Sequence, residues 1–202
     1  RYQEVTGVQT CALPIWLDQS VLRKTMEGLA KARYLDKKDP QDSALMYIAL
    51  GRKNVLAALC RTADQPRLLH FFSRDFSDPE NQKSALKNAY VLLSQHRYEL
   101  SAAFFILGGQ RSDAYEILGG NAGDFQLAFA VARLLEGDAG EGLHEFIDKH
   151  MIPHALHCGD AWFACSLELF RGNSDKAIRC AFGELGARSE EHTSELQSPL
   201  DI

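Results

Sequence analysis

Apolar residues recur along this chain at three- and four-residue intervals almost everywhere, and no stretch has the bounded, alternating, β-branched pattern of a strand. The predicted class is all-α. A first helix is expected from about Asp18 or Ser20 to Leu35, with Leu22, Met26 and Leu29 on one stripe and Lys24, Lys31 and Arg33 outside it. Asp39-Pro40 then starts a second helix: an Asp side chain accepts an otherwise unpaired amide hydrogen, and Pro at the first helical position lacks an N–H that would have no partner anyway. The same pair recurs at Asp78-Pro79. The second helix should end near Gly51, where a left-handed cap is easiest without a Cβ, and Lys53 to Arg61 forms its antiparallel partner.

A compact segment with Leu68, Leu69, Phe71, Phe72 and Phe76 follows. The helix from Asp78 to Gln95 is expected to place Leu86, Ala89, Tyr90 and Leu93 on one face. Its neighbour RYELSAAFFILGG has Leu100, Ala103, Phe104 and Leu107 on one side and Ala102, Phe105 and Ile106 on another. A helix apolar nearly all round is buried between neighbours. Three later stretches, FFILGGQRSDAYEIL, ARLLEGDAGEGLHEFI and LELFRGNSDKAIRCAF, share an apolar helix, a Gly-containing turn and a short second helix. They align on Gly109, Gly137 and Gly172, at intervals of 28 and 35 residues that fit a helix pair. Degenerate hairpins of this size predict an α-solenoid of stacked helical hairpins, a fragment of a larger protein, in which each unit buries its apolar face on the next.

The two ends do not share this pattern. RSEEHTSELQS, Arg188 to Ser198, is one translation of a widely used short-read library adapter, and VTGVQTCALPI, Val5 to Ile15, is a translation of that oligonucleotide's reverse complement with one further base. One oligonucleotide thus accounts for both ends. Residues 1–15 and 188–202 are expected to be adapter-derived, leaving 16–187 as the solenoid fragment. Of 22 basic and 27 acidic residues, the head holds one of each and the tail one basic and four acidic, leaving 20 against 22. A near-neutral chain without basic excess gives no support to nucleic-acid binding. No apolar run approaches the length of a membrane span, so direct membrane insertion is not expected.

Candidate chemistry is sparse. The glycine turns match no phosphate-binding loop and follow no predicted strand, so each is read as a helix C-cap. The densest cluster is KHMIPHALHCGD, with His150, His154, His157 and Cys158, and Cys165 a few residues on. Zinc favours such ligands, but tetrahedral binding needs three or four to converge. Pro153 is expected to start a new helix and separate His150 from the rest, and the spacing matches no finger or HExxH pattern. The expected structure is a helix corner with surface histidines and a packed cysteine. Cys60, Cys158, Cys165 and Cys180 lie in apolar helical stretches and are read as buried free thiols. G-x-S-x-G is absent, and carboxylates such as Glu27, four residues before Lys31, read as helix-surface partners. Arg23, Lys24, Lys31, Arg33, Lys37 and Lys38 form either a patch for an acidic partner or a solvated helix face. No catalytic, cofactor-binding or metal-ligating residue is assigned.

KKDPQDSALMYIALGRKNVLAAL, FFSRDFSDPENQKSALKNAYVLLSQHRYELSAAFFILGG and DFQLAFAVARLLEG closely resemble the rabconnectin-3 or DmX-like family, whose fungal member is the large subunit of the RAVE complex. The resemblance is strong from about Leu22 to Gly137 and weaker through GDAWFACSLELFRGNSDKAIRCAF; Gly119 to Gly123 departs from the longer, more helical linker of the family. The resemblance implies a very large protein, with N-terminal WD-repeat propellers before a helical region. It implies a non-catalytic scaffold for assembly of the vacuolar-type proton ATPase, with peripheral ATPase subunits and RAVE-like subunits as partners. It also implies a cytoplasmic location, peripheral to endosomal or vacuolar membranes. It supplies no catalytic residues and no cofactor. A general vesicle-coat or trafficking solenoid, and a metal-dependent enzyme built on the His/Cys cluster, are the alternatives.

Overall fold

A computed structural model describes residues 13–182 of the 202. Among them the chain is all-α, with no strand. It divides into two compact units, one over residues 17–146 and the other comprising the described residues 13–16 together with 147–182.

The larger unit begins with α2 (Gln19–Lys37), preceded by the four-residue helical turn α1 (Leu13–Trp16) of the other unit. Asp18 caps α2 by accepting from the Ser20 amide at 2.8 Å. Both Asp-Pro signals act as expected: Asp39 accepts from the Gln41 amide at 2.9 Å and Asp78 from the Glu80 amide at 3.0 Å. After Asp39, however, the chain first makes a 3₁₀ turn, Pro40–Ser43, and only then α3 (Ala44–Ala49). Gly51, at φ 71°, turns the chain into α4 (Lys53–Thr62), completing the predicted hairpin. The aromatic segment is helical too, as α5 (Pro66–Phe72).

Next come α6 (Pro79–Ser94) and α7 (Tyr98–Leu107), an antiparallel pair, then α8 (Arg111–Glu116), a π-helical turn Ile117–Asn121, α9 (Phe125–Glu136) and α10 (Glu141–Phe146). Every residue of α7 from Leu100 to Phe105 is buried, as its all-round apolar character requires. Around it stand α3, α6 and α8, while α2 lies along α3 and α9. The aromatic centre is Phe104, stacked on Phe71 with ring centroids 4.8 Å apart and edge-on to Phe72 at 5.8 Å.

Two faces differ from expectation. On α2 the buried residues are Leu22, Met26 and Ala30, and Leu29 is exposed. On α6 they are Ala85, Ala89 and Leu92; Leu86 and Leu93 are half-buried and Tyr90 is exposed. The reason is close approach. Small Ala85 and Ala89 let the α7 backbone come near enough for the buried Ser101 hydroxyl to donate to the Ala89 carbonyl at 2.8 Å. Larger residues take the flanks, with Leu86 over Gly108, where a Cβ would lie 2.5 Å from its methyl carbon.

The smaller unit contains a second π-helical turn, Ile147–Met151, then α11 (Ile152–His157), α12 (Ala161–Phe170) and α13 (Ser174–Ala181). Its core joins Ala155, Ala164, Cys165, Ala177 and Cys180, with Leu156 and Phe163 packed against them. The short α1 packs on α12, and its Ile15 is buried. Thus Leu13–Ile15, at the inner edge of the expected adapter-derived head, form a helical turn with Trp16. The rest of that head, residues 1–12, and the whole of the expected tail, 188–202, lie outside the described residues.

The three predicted hairpins are present as α7–α8, α9–α10 and α12–α13, and the glycines on which they align adopt φ of 82°, 77° and 79° at Gly109, Gly137 and Gly172. An L side chain rarely enters that region, and Gly enters it without penalty. The glycine-rich stretch after α8 is explained by packing as well: a Cβ on Gly119 would sit 2.9 Å from the Phe125 ring and 3.1 Å from that of Phe146.

Candidate functional site

Most of the charged and polar side chains that the fold buries hold one element to the next. Among the described residues the buried ones are Ser43, Ser101, Arg133 and Glu168. Ser43 donates to the Pro40 carbonyl at 3.1 Å within its own 3₁₀ turn. Glu168, on α12, accepts from the Asn173 side chain at 2.8 Å and lies 3.6 Å from Arg171, closing the turn into α13. Arg171 also pairs with Asp148 at 2.8 Å.

Arg133 organises the largest polar cluster. From the inner face of α9 its Nε donates to Asp138 at 2.6 Å and its Nη1 to the Leu17 carbonyl at 2.9 Å. Gln19 at the start of α2 donates to the same Asp138 carboxylate at 2.7 Å and to the Arg133 carbonyl at 3.1 Å. The Arg133 hydrogen bond, with help from Gln19, holds the Asp138 carboxyl below its ordinary range, against the partial burial that opposes it. One cluster therefore ties the start of α2 to the end of α9.

Beside it, Glu136 accepts from the Tyr115 hydroxyl at 2.7 Å and from the Leu143 amide at 3.1 Å. It links α8, α9 and the first turn of α10. Gly140 and Gly142 leave it room, since a Cβ on Gly142 would lie 2.8 Å from its carboxylate. Burial, reinforced by Glu136, pushes the Tyr115 hydroxyl well above its usual range, so it remains a neutral donor.

The His/Cys stretch is not gathered into one place. His150 is half-buried in the π turn, His154, His157 and Cys158 are exposed, and Cys165 is in the core of the smaller unit. His154 and Cys158 meet, Nε2 to Sγ 3.7 Å, as one turn of helix dictates. Among the described residues no three His, Cys, Asp or Glu side chains form a metal-binding group. One expectation needs correction: Cys158 is exposed, while Cys60, Cys165 and Cys180 are buried. Pro153 lies in the first turn of α11, as expected, where a missing N–H is tolerated, and His150 precedes it in the π turn.

The basic residues of α2 and its C-cap Lys38 divide into two sets. Arg23 donates to the Leu134 carbonyl at 3.3 Å, Arg33 pairs with Glu99, and Lys37 pairs with Asp42 at 3.1 Å. These staple α2 to the unit beneath it. Lys24, Lys31 and Lys38 stay exposed, and Glu27 bridges Lys31 at 2.9 Å and Arg52 at 2.8 Å. Large apolar side chains are exposed as well: Val21, Leu29 and Leu35 on α2, Tyr90 and Val91 on α6, and Trp162, Leu169, Ile178 and Phe182 in the smaller unit. No described helix is long and apolar enough to cross a membrane.

An all-α chain of helical hairpins, with buried Ser101, Arg133 and Glu168 joining one element to the next and apolar side chains left on outer helix faces, defines the class: an all-helical chain of the solenoid type. Residues 4–199 match the family described as RAVE protein 1 C terminal, and the chain belongs to that family. Over 155 residues, 74% of the chain, it is 37% identical to "Regulator of V-ATPase in vacuolar membrane protein 1" of Saccharomyces cerevisiae. It is 34% identical over 162 residues, 77% of the chain, to the protein of the same name from Schizosaccharomyces pombe. It is 43% identical over 118 residues, 58% of the chain, to "DmX-like protein 1" of Homo sapiens. These matches take in 11%, 12% and 4% of the respective relatives' lengths, so the chain spans a small part of each.

Proposed function

We propose that this chain is a non-catalytic scaffold region of a regulator of vacuolar-type proton ATPase assembly. Membership of the RAVE protein 1 C-terminal family, with fungal relatives named as V-ATPase regulators, carries the reading. The helical-hairpin architecture supports it, since repeated hairpins of this kind commonly serve to hold other proteins. No residue is assigned a catalytic, cofactor or metal role. The partners are peripheral ATPase subunits and other subunits of a RAVE-like complex. The location is cytoplasmic, at endosomal or vacuolar membranes through those partners. Residues 1–15 and 188–202 are adapter-derived, and 16–187 are the functional scaffold.

The test is affinity purification of the full-length protein, with mass spectrometry of its partners, beside a matched deletion of residues 16–187. Peripheral ATPase subunits should be enriched with the intact protein and lost with the deletion. Retention of those subunits by the deleted protein would make the region a spacer; their absence from both preparations would overturn the ATPase reading.

A further inference from the structure

Helix α2 has a second apolar face. Leu22, Met26 and Ala30 point into the unit. On the other side Val21, Thr25, Gly28, Ala32 and Leu35 are all exposed, at intervals of four, three, four and three residues. At 100° per residue they fall in a stripe within about 40° of one line along the helix. That alternation is the seam of a coiled coil. Leu29 widens the stripe, and Val21, Leu29 and Leu35 are 44%, 40% and 60% exposed, well above a core residue.

The middle of the stripe is shaped for another helix. A Cβ added to Gly28 would meet nothing within 4 Å, so nothing inside the unit requires glycine there. Gly is a poor helix former, second only to Pro, and Ala would serve the fold better. With Thr25 and Ala32 beside it, Gly28 leaves a shallow groove into which a large side chain of a partner helix fits.

Charge selects the partner. Lys24 and Lys31 follow one edge of the stripe seven residues apart, and both are exposed. Glu27 is shared between Lys31 and Arg52, so this edge stays positive. A second copy of α2 fits poorly: running antiparallel it would set lysine edge against lysine edge, and running parallel it offers only Asp36 opposite the lysines. We infer that the outer face of α2 docks an amphipathic helix of a partner protein, with Leu, Ile or Met along its seam and Glu or Asp along the edge that meets Lys24 and Lys31. The inference stands on α2 alone and does not depend on the ATPase reading.

The probe is a labelled three-heptad peptide with Leu at both seam positions and Glu on the flanks, beside a twin carrying Lys instead of Glu. Each is titrated by fluorescence anisotropy into the full-length protein. The Glu peptide should bind at least about tenfold more tightly than the Lys twin, with the preference shrinking at high salt. Ala32→Glu should weaken it at least about tenfold. Gly28→Ala should also weaken it while raising the melting temperature, which separates docking from folding. Equal binding of the two peptides, failure of the Glu peptide to bind, or an unaltered affinity in Ala32→Glu overturns the proposal. So does protection of an Ala32→Cys variant from maleimide in the full-length protein without partners, because the face is then covered by the same polypeptide.

Discussion

Replacing Phe104 by Ala tests the centre of the larger unit. The ring is 5% exposed, stacks on Phe71 at 4.8 Å and meets Phe72 edge-on at 5.8 Å. Losing its burial forfeits about 1.5–3 kcal/mol of transfer free energy. A phenyl-sized void on the order of 100 Å³, at about 24 cal/mol per Å³, adds about 2 kcal/mol. The two aromatic contacts raise the figure toward the top of the ~3–5 kcal/mol range of such truncations. We therefore expect about 4 kcal/mol. Urea denaturation of the helical region, followed by far-ultraviolet circular dichroism, reads this as a midpoint lowered by about 2 M at a slope near ~2 kcal/mol per M. Trp162→Ala, at a side chain 76% exposed, is the control and should stay within about 0.5 kcal/mol. A Phe104→Ala midpoint within about 0.5 M of wild type would refute the burial of the ring in a close-packed core.

Three further expectations can be checked alongside. Gly119→Ala forces a methyl to 2.9 Å from the Phe125 ring and should destabilise by about 1–3 kcal/mol in the same titration; a neutral result would show that the π turn yields freely. Asp138 is held below its ordinary pKa by Arg133, so its contribution is complete above the unfolded value of about 3.9 and is lost as pH falls through the lower folded value. Asp138→Asn should thus cost about 1 kcal/mol at pH 7, a modest figure because the carboxylate is half exposed. The gap should close below about pH 4, and a gap constant from pH 7 to 3 would remove the charge from the explanation. Among Cys60, Cys158, Cys165 and Cys180, a maleimide should modify Cys158 first; Cys60 is fully buried, with a thiol pushed up to about 11 by burial, and should react only on unfolding. Mass mapping of early adducts to Cys60 would contradict this.

The sequence by itself determined the helices and the places where glycine or Asp-Pro starts or stops them. Those signals are local: a carboxylate accepting the second amide beyond it, or a left-handed residue without a Cβ, needs only its neighbours along the chain. The hairpins at Gly109, Gly137 and Gly172, and the buried α7, were legible for that reason. Ends made by ordinary residues were not. Lys38, Asp64 and His96 adopt φ of 57°, 50° and 59° to terminate α2, α4 and α6, and nothing in their chemistry marks them out from other polar residues.

Tertiary structure alone decided which face of a helix turns inward. On α2 and α6 the largest apolar residues marked the expected stripe, but the buried one on α6 carries alanines, because the closest approach of two backbones needs small side chains there. The same holds for the polar groups. Arg133 and Asp138 look like surface charges in sequence, and the distance from Gln19 to Asp138, 119 residues along the chain, conceals the cluster they form. The His/Cys stretch shows the converse: residues near in sequence were dispersed by helical geometry, one into the core, one half-buried and three onto the surface. Sequence neighbours share a site only when the helix places them on one face, and distant residues share one only when packing brings their helices together.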